Sequence, residues 1–319
     1  MRRRHVLLAL GATGALLYGS VRLLRARRRR LGGLDSAVSF SACTVAAARA
    51  VESARSDGLF YDPFAACFAG DEAMRRVARK GKKLDTRIAV RTRFFDDAIL
   101  DALRRTPGAQ VVLLGAGLDA RAWRLSPPGG LDKCATLIEV DRQDVLGAKG
   151  ALLAALPGGL PRLTLSKKYV GVACNLQRHD WFWHLKSAGH EPGVPTVWVL
   201  EGLLYYLPPA TVDAVLRTVA RLSAPGSSLV ASCVNTAAMV RAQTNGKSEA
   251  MRSFQSAVDD PAAYFQARGW HVLKAARPGD PECSYGRFPA PERPAADGMP
   301  ATWYVVATRS EVEGAEQVK

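Results

Sequence analysis

Gln110-Val-Val-Leu-Leu-Gly115-Ala-Gly117-Leu-Asp-Ala-Arg121-Ala-Trp-Arg-Leu125 is the stretch that decides the fold. A short β-branched and aliphatic run stops abruptly at two glycines spaced by one residue. Glycines there let the chain turn sharply out of a strand and let a ligand approach the backbone. Outward from this point, further apolar runs alternate with helical stretches. The strands expected are Gln110–Leu114, Ala135–Val140, Lys168–Val172, Thr196–Leu200 and Ser227–Cys233; the helices lie near Asp141–Leu156, Asp180–Ala188 and Ala210–Leu222. Such alternation implies a parallel sheet covered by helices on both faces. The tail adds a helix near Pro261–Arg268 and strands at Trp270–Lys274 and Thr302–Thr308, joined by the Pro- and Gly-rich Pro278–Pro300. The expected fold is α/β: a doubly wound, mostly parallel seven-stranded sheet closed by an antiparallel edge.

Upstream, 36–107 carries the pattern of a helical cap. Ser41–Arg55 is Ala-rich without Gly or Pro, Asp62-Pro63 has the form of a helix start, and Asp85–Arg105 forms one longer helix ended by Thr106-Pro107-Gly108. With no repeat or low-complexity linker to divide it, 35–310 is expected to be one domain, followed by a polar tail at 311–319.

Charge has to be located before it is interpreted. The 319-residue chain has a formal net charge of +15, yet nine arginines and no acid fall within Met1–Leu34, leaving +6 for the other 285 residues. The body shows no basic stripe interleaved with aromatics, so no nucleic-acid partner is expected. Its composition, 48% apolar and 23% charged, excludes a disordered chain or a polytopic membrane protein. In the leader, the 16 residues Val6–Val21 are apolar and flanked by Arg clusters. That is short of the roughly 20 residues of a membrane span. Snorkelling arginines would extend it, so a membrane anchor, a mitochondrial or plastid transit peptide and a secretory signal all stay open. The six cysteines are scattered, without metal-ligand spacing. They suit buried free thiols in a reducing compartment.

Strand ends carry the candidate chemistry, because ligands of open parallel sheets bind at the carboxyl edge. Ile138-Glu139-Val140-Asp141 ends the second strand in acids, where a carboxylate accepts both hydroxyls of a ribose; the alternative for Asp141 is a helix N-cap. The third strand runs into Cys174-Asn175-Leu176. The fourth ends in Glu201-Gly202, and an acid directly after an apolar strand needs a partner or a ligand. His179, His184 and His190 are expected to be solvated or capping residues.

QVVLLGAGLDARAWRL, EVDRQDV at Glu139–Val145 and VWVLEGLLYYLP at Val197–Pro208, with TVAAARAVESARSDGLFYDPFAACFAG and RIAVRTRFFDDAI upstream, together resemble the leucine carboxyl methyltransferase-like family of class I S-adenosylmethionine-dependent methyltransferases. The resemblance spans roughly Cys43 to Val234 and the closing strands. It implies S-adenosylmethionine as cofactor and methyl transfer to an oxygen, carboxyl or hydroxyl. Arg91 would meet the methionyl carboxylate. Gly115, Ala116 and Gly117 would approach the methionine and ribose, and Asp141 the ribose hydroxyls. Asn175 and Leu176 would meet the adenine edge, and Glu201 the amino group. The family usually has Asp-Leu where this chain has Asn175-Leu176. Tyr205 and Arg121, with Tyr206 beside them, are the weak candidates for a catalytic group. The rival readings are an NAD(P)-dependent oxidoreductase built on the same glycine turn and a non-catalytic membrane-tethered binding protein.

Overall fold

The computed structural model describes residues 34, 36–79, 86–127, 134–178, 180–288 and 298–309. Within them, three helices precede the sheet: α1 (Ala37–Ser53), α2 (Ala65–Arg79) and α3 (Thr86–Arg105). Then come β1 (Gln110–Leu114), α4 (Arg121–Arg124), β2 (Cys134–Asp141), α5 (Gln143–Ala154), β3 (Ser166–Ala173), α6 (Trp181–Ser187) and β4 (Thr196–Leu200). The chain continues through α7 (Pro209–Arg221), β5 (Ser228–Val234), α8 (Thr236–Asn245), α9 (Glu249–Arg252), α10 (Pro261–Gln266), β6 (Trp270–Ala276) and β7 (Thr302–Arg309).

The seven strands lie in the order β3-β2-β1-β4-β5-β7-β6. The first five are parallel, while β7 runs antiparallel to both β5 and β6. This is the class I methyltransferase arrangement of a Rossmann-like fold. The chain moves outward from β1 through β2 to β3 and then returns to place β4 on the other side of β1. That reversal opens a crevice at the carboxyl ends of β1 and β4.

Strand periodicity sorts the side chains into two layers. Val111, Leu113, Leu137, Val197 and Val199 face the cap, packing against Phe94, Phe95, Ile99 and Leu103 of α3. Val112, Leu114, Ile138, Val140, Trp198 and Leu200 face α6, α7 and α10. A strand buried on both faces must be apolar at nearly every position, as β1 and β4 are. The cap helices share the apolar cluster of one sheet face, which places α1 above the glycine turn.

Several local expectations need correction. The first cap helix begins at Ala37, with the Ser36 hydroxyl accepting from the Ser39 N–H at 3.0 Å. Asp62 is not the N-cap of α2, which starts at Ala65; its carboxylate accepts from the Phe64 N–H and pairs with Arg49. His190 is neither solvated nor capping: it is 3% exposed, lies against Trp198 and hydrogen-bonds Thr196. His184 is exposed, and His179 lies outside the described residues. All six cysteines are free, but Cys67 is exposed and Cys174 half-buried rather than buried. Among the described residues no helix is long and apolar enough to cross a membrane. The apolar stretch Val6–Val21 lies outside them.

Candidate functional site

The carboxyl edge of β1, β2 and β4 forms the floor of a cavity of about 2520 Å3, roofed by α1 and walled by α8, α9 and the segment following β6. Every cofactor-site residue expected from the sequence borders it: Arg91, Gly115, Ala116, Gly117, Asp141, Asn175, Leu176 and Glu201.

Gly115 and Gly117 adopt φ of 67° and 55°, the left-handed region that suits glycine. A Cβ on Gly115 would lie 2.7 Å from Leu203 Cδ1, and one on Gly117 would lie 3.3 Å from Ala42 Cβ on α1. The roof therefore descends onto the turn because the side chains are missing. The turn is tied to the neighbouring strand by the Gly115 and Ala116 N–H groups, both donating to Val140 O.

Of the two acids ending β2, only Asp141 borders the cavity. Glu139 is fully buried beneath it, accepting from Lys149 Nζ and from the Tyr169 hydroxyl. Asp141 does not cap α5, whose N-cap is Arg142 without a side-chain bond. Its Oδ2 instead accepts the Gly117 N–H and its Oδ1 the Arg142 N–H, both at 2.6 Å. Burial pushes this carboxyl above its ordinary pKa despite those two donors. Each carboxylate oxygen takes about two hydrogen bonds, so capacity remains for two hydroxyls.

Asn175 is exposed, and its Oδ1 accepts the Gln177 N–H at 3.0 Å. One lone pair of that oxygen and the amide N–H donors remain for a ligand. Leu176 is 7% exposed and supplies an apolar surface next to it.

Glu201 sits where β4 ends, between two cations. Its Oε1 accepts Arg91 Nε at 2.8 Å and its Oε2 faces Arg121 Nη1 at 2.8 Å. Burial raises the Glu201 carboxyl, but Arg121 and Arg91 outweigh it and hold the pKa below the ordinary value. Arg91 also reaches the Tyr205 hydroxyl at 3.5 Å. Its Nη2 has no hydrogen-bond partner among the described residues. Neither weak catalytic candidate has the character of a general base. Arg121 is a buried cation held well above its ordinary pKa, and burial raises the Tyr205 phenol. Tyr206 is shifted the same way, and the Cys174 thiol is pushed up to about 11 by burial.

The residues fit S-adenosylmethionine. A carboxylate with spare capacity lies over the glycine turn, an apolar ledge flanks it, and a guanidinium with a free donor stands beside a carboxylate at the other end. Sequence reasoning did not find Arg49, Asp62, Asp96, Asp119 and Arg124, which brace this end of the cavity through buried ion pairs. The only sequence signal was their density of charge within otherwise apolar segments.

Residues 42–220 match the family model described as leucine carboxyl methyltransferase. A relative from Mycolicibacterium vanbaalenii, named "Putative S-adenosyl-L-methionine-dependent methyltransferase", is 38% identical over 277 residues, covering 75% of this chain and 86% of the relative. One of the same description from Streptomyces coelicolor is 34% identical over 310 residues, covering 88% and 96%. Among solved structures, a DUF574 family protein from Streptomyces avermitilis superposes with a TM-score of 0.51 at 14% identity, over 83% of this chain and 97% of that one. That likeness is one of fold.

Proposed function

The chain belongs to the leucine carboxyl methyltransferase family, and from that membership we propose that its cavity directs methyl transfer to an oxygen, a carboxylate, of the acceptor. It is an S-adenosylmethionine-dependent methyltransferase. The oxidoreductase and binding-protein readings find no support in these matches.

S-adenosylmethionine would supply a methyl group already activated by a positive sulfur: an acceptor oxygen attacks the methyl carbon in line as the carbon–sulfur bond breaks, and the sulfur leaves as the neutral thioether of S-adenosylhomocysteine. The work left to the protein is alignment and exclusion of water. In the proposed pose Asp141 accepts the ribose hydroxyls, the Gly115–Gly117 turn gives backbone access, and Leu176 packs on the adenine. Arg91 donates to the methionyl carboxylate and Glu201 accepts from the amino group.

The observation favouring a carboxylate acceptor is that the carboxylates at the floor of the cavity are already engaged, Glu201 by Arg91 and Arg121, Asp119 by Arg121 and Asp141 by the glycine turn. No histidine is among the described residues bordering the cavity, and the phenols there hold their protons. A carboxylate is already ionised and needs no proton removed, whereas an alcohol or phenol benefits from a base. Screening acceptors with a labelled methyl donor on the full chain tests this. The label should leave the product under mild alkali, as methyl esters do; an alkali-stable ether or amine product would refute the carboxylate assignment.

For the N-terminus we propose membrane association or organellar import, on the strength of the Arg-flanked Val6–Val21 alone. Fractionation of cells expressing the full chain with a C-terminal fluorescent tag tests it, and a wholly unassociated pool would contradict it.

A further inference from the structure

Arg121 is 1% exposed, yet it touches every segment that frames the methionine end of the proposed cofactor pose. Its Nε donates to Asp96 Oδ1 on α3 at 2.6 Å, its Nη1 meets both Asp119 in the glycine turn and Glu201 Oε2, and its Nη2 reaches Thr92 O at 3.4 Å. The pattern continues inward. Arg124 grips both oxygens of Asp96 at 2.7 and 2.8 Å and lies 3.6 Å from Asp62. Asp62 is held by Arg49 at 2.8 Å, and Arg49 closes the circuit by donating to Leu118 O at 2.6 Å. Arg49, Arg91, Arg121 and Arg124 thus alternate with Asp62, Asp96, Asp119 and Glu201 in charge balance. A buried ion chain of this kind leaves neighbours unmatched when one member is removed.

A guanidinium offers Nε and Nη2 as a parallel pair that takes both oxygens of one carboxylate. Arg91 does not spend itself that way: only its Nε engages Glu201, because Oε2 is held by Arg121. We propose that Arg121 is a positioning residue for cofactor binding, which keeps Glu201 from closing over Arg91 and so leaves Arg91 Nη2 for the methionyl carboxylate. Without Arg121, both Glu201 oxygens would turn to the Arg91 fork and consume that donor. The nucleoside end, held by Asp141 and Leu176 on other elements, would be untouched. The proposal rests on the reading that the cavity takes S-adenosylmethionine with its amino-acid end at Arg91 and Glu201.

The test compares two ligands by calorimetry on the full chain. S-adenosylhomocysteine has the amino-acid end; 5′-methylthioadenosine is the same thioether nucleoside without it. In Arg121→Gln the affinity for S-adenosylhomocysteine should fall by about 30-fold, the worth of one charge-assisted hydrogen bond, while that for 5′-methylthioadenosine changes less than about threefold. Arg121→Lys, which restores the charge at Oε2, should recover part of the loss. Equal losses for both ligands mark a merely structural residue and overturn the proposal, as does unchanged S-adenosylhomocysteine affinity. If Arg121→Gln does not fold, the Asp119→Asn/Arg121→Gln pair, which also neutralises the carboxylate whose one salt bridge among the described residues is to Arg121, carries the same comparison. Failure of the unaltered chain to bind S-adenosylhomocysteine would instead sink the underlying reading of the cavity.

Discussion

Asp141 and Gly117, at the ends of adjacent strands, are joined by a 2.6 Å hydrogen bond in which the backbone N–H of the glycine turn donates to Oδ2 of the acid. One carboxylate therefore both braces the turn and faces the cavity. Asp141→Ala removes the brace and the proposed ribose acceptor together. S-adenosylhomocysteine affinity should drop by about 30-fold or more, and Asp141→Asn, which keeps one acceptor oxygen, should fall between. Calorimetry reads both; unchanged affinity would remove Asp141 from the site.

Gly115 carries two constraints, a φ of 67° and a clash of any Cβ with Leu203 at 2.7 Å. Gly115→Ala should cost about 1–3 kcal/mol of stability, seen as a lower urea midpoint with unchanged slope. A midpoint equal to that of the unaltered chain would mean the turn relaxes freely.

Asn175 has one lone pair left on the neutral oxygen that accepts from Gln177, beside the proposed adenine ledge. Asn175→Asp would keep the Gln177 bond and free a second oxygen to accept from the adenine amino group. S-adenosylhomocysteine affinity should rise by about three- to tenfold. A loss of affinity would show that this position does not face the adenine.

His190 is buried and held neutral, its pKa lowered from 6.5 to about 4 by desolvation. The unfolded chain protonates it at the higher value, so its contribution to stability is complete above pH 6.5 and is lost as pH falls toward 4. Between pH 7 and 5 the unaltered chain should lose about 2 kcal/mol more than His190→Leu. Urea unfolding at the two pH values gives the difference, and equal losses would place His190 in contact with water.

Strands β1, β2 and β4 were legible because each is a β-branched or aliphatic run ended by a glycine or an acid, and β1 and β4 match their expected limits residue for residue. The α8–α9 segment was not legible. Of α8 only Ala242 is buried, so no apolar period marks the helix, although Asn235 and Ser248 cap it and α9 by side-chain bonds. The ion circuit was invisible for a different reason. Arg91 and Glu201 are 110 residues apart, and Arg49 and Leu118 are 69 apart. Pairing at such distances leaves no periodic trace, and each arginine taken alone has the look of an ordinary helix-surface cation.

The assignment of the cavity above Gly115–Gly117 to S-adenosylmethionine rests on what enters it. Titrating the full chain with S-adenosylhomocysteine in one calorimeter cell, and with NAD+ and NADP+ in others, tests this most directly. It predicts saturable one-to-one binding of S-adenosylhomocysteine and no heat from either dinucleotide. Dinucleotide binding with no response to S-adenosylhomocysteine would contradict it.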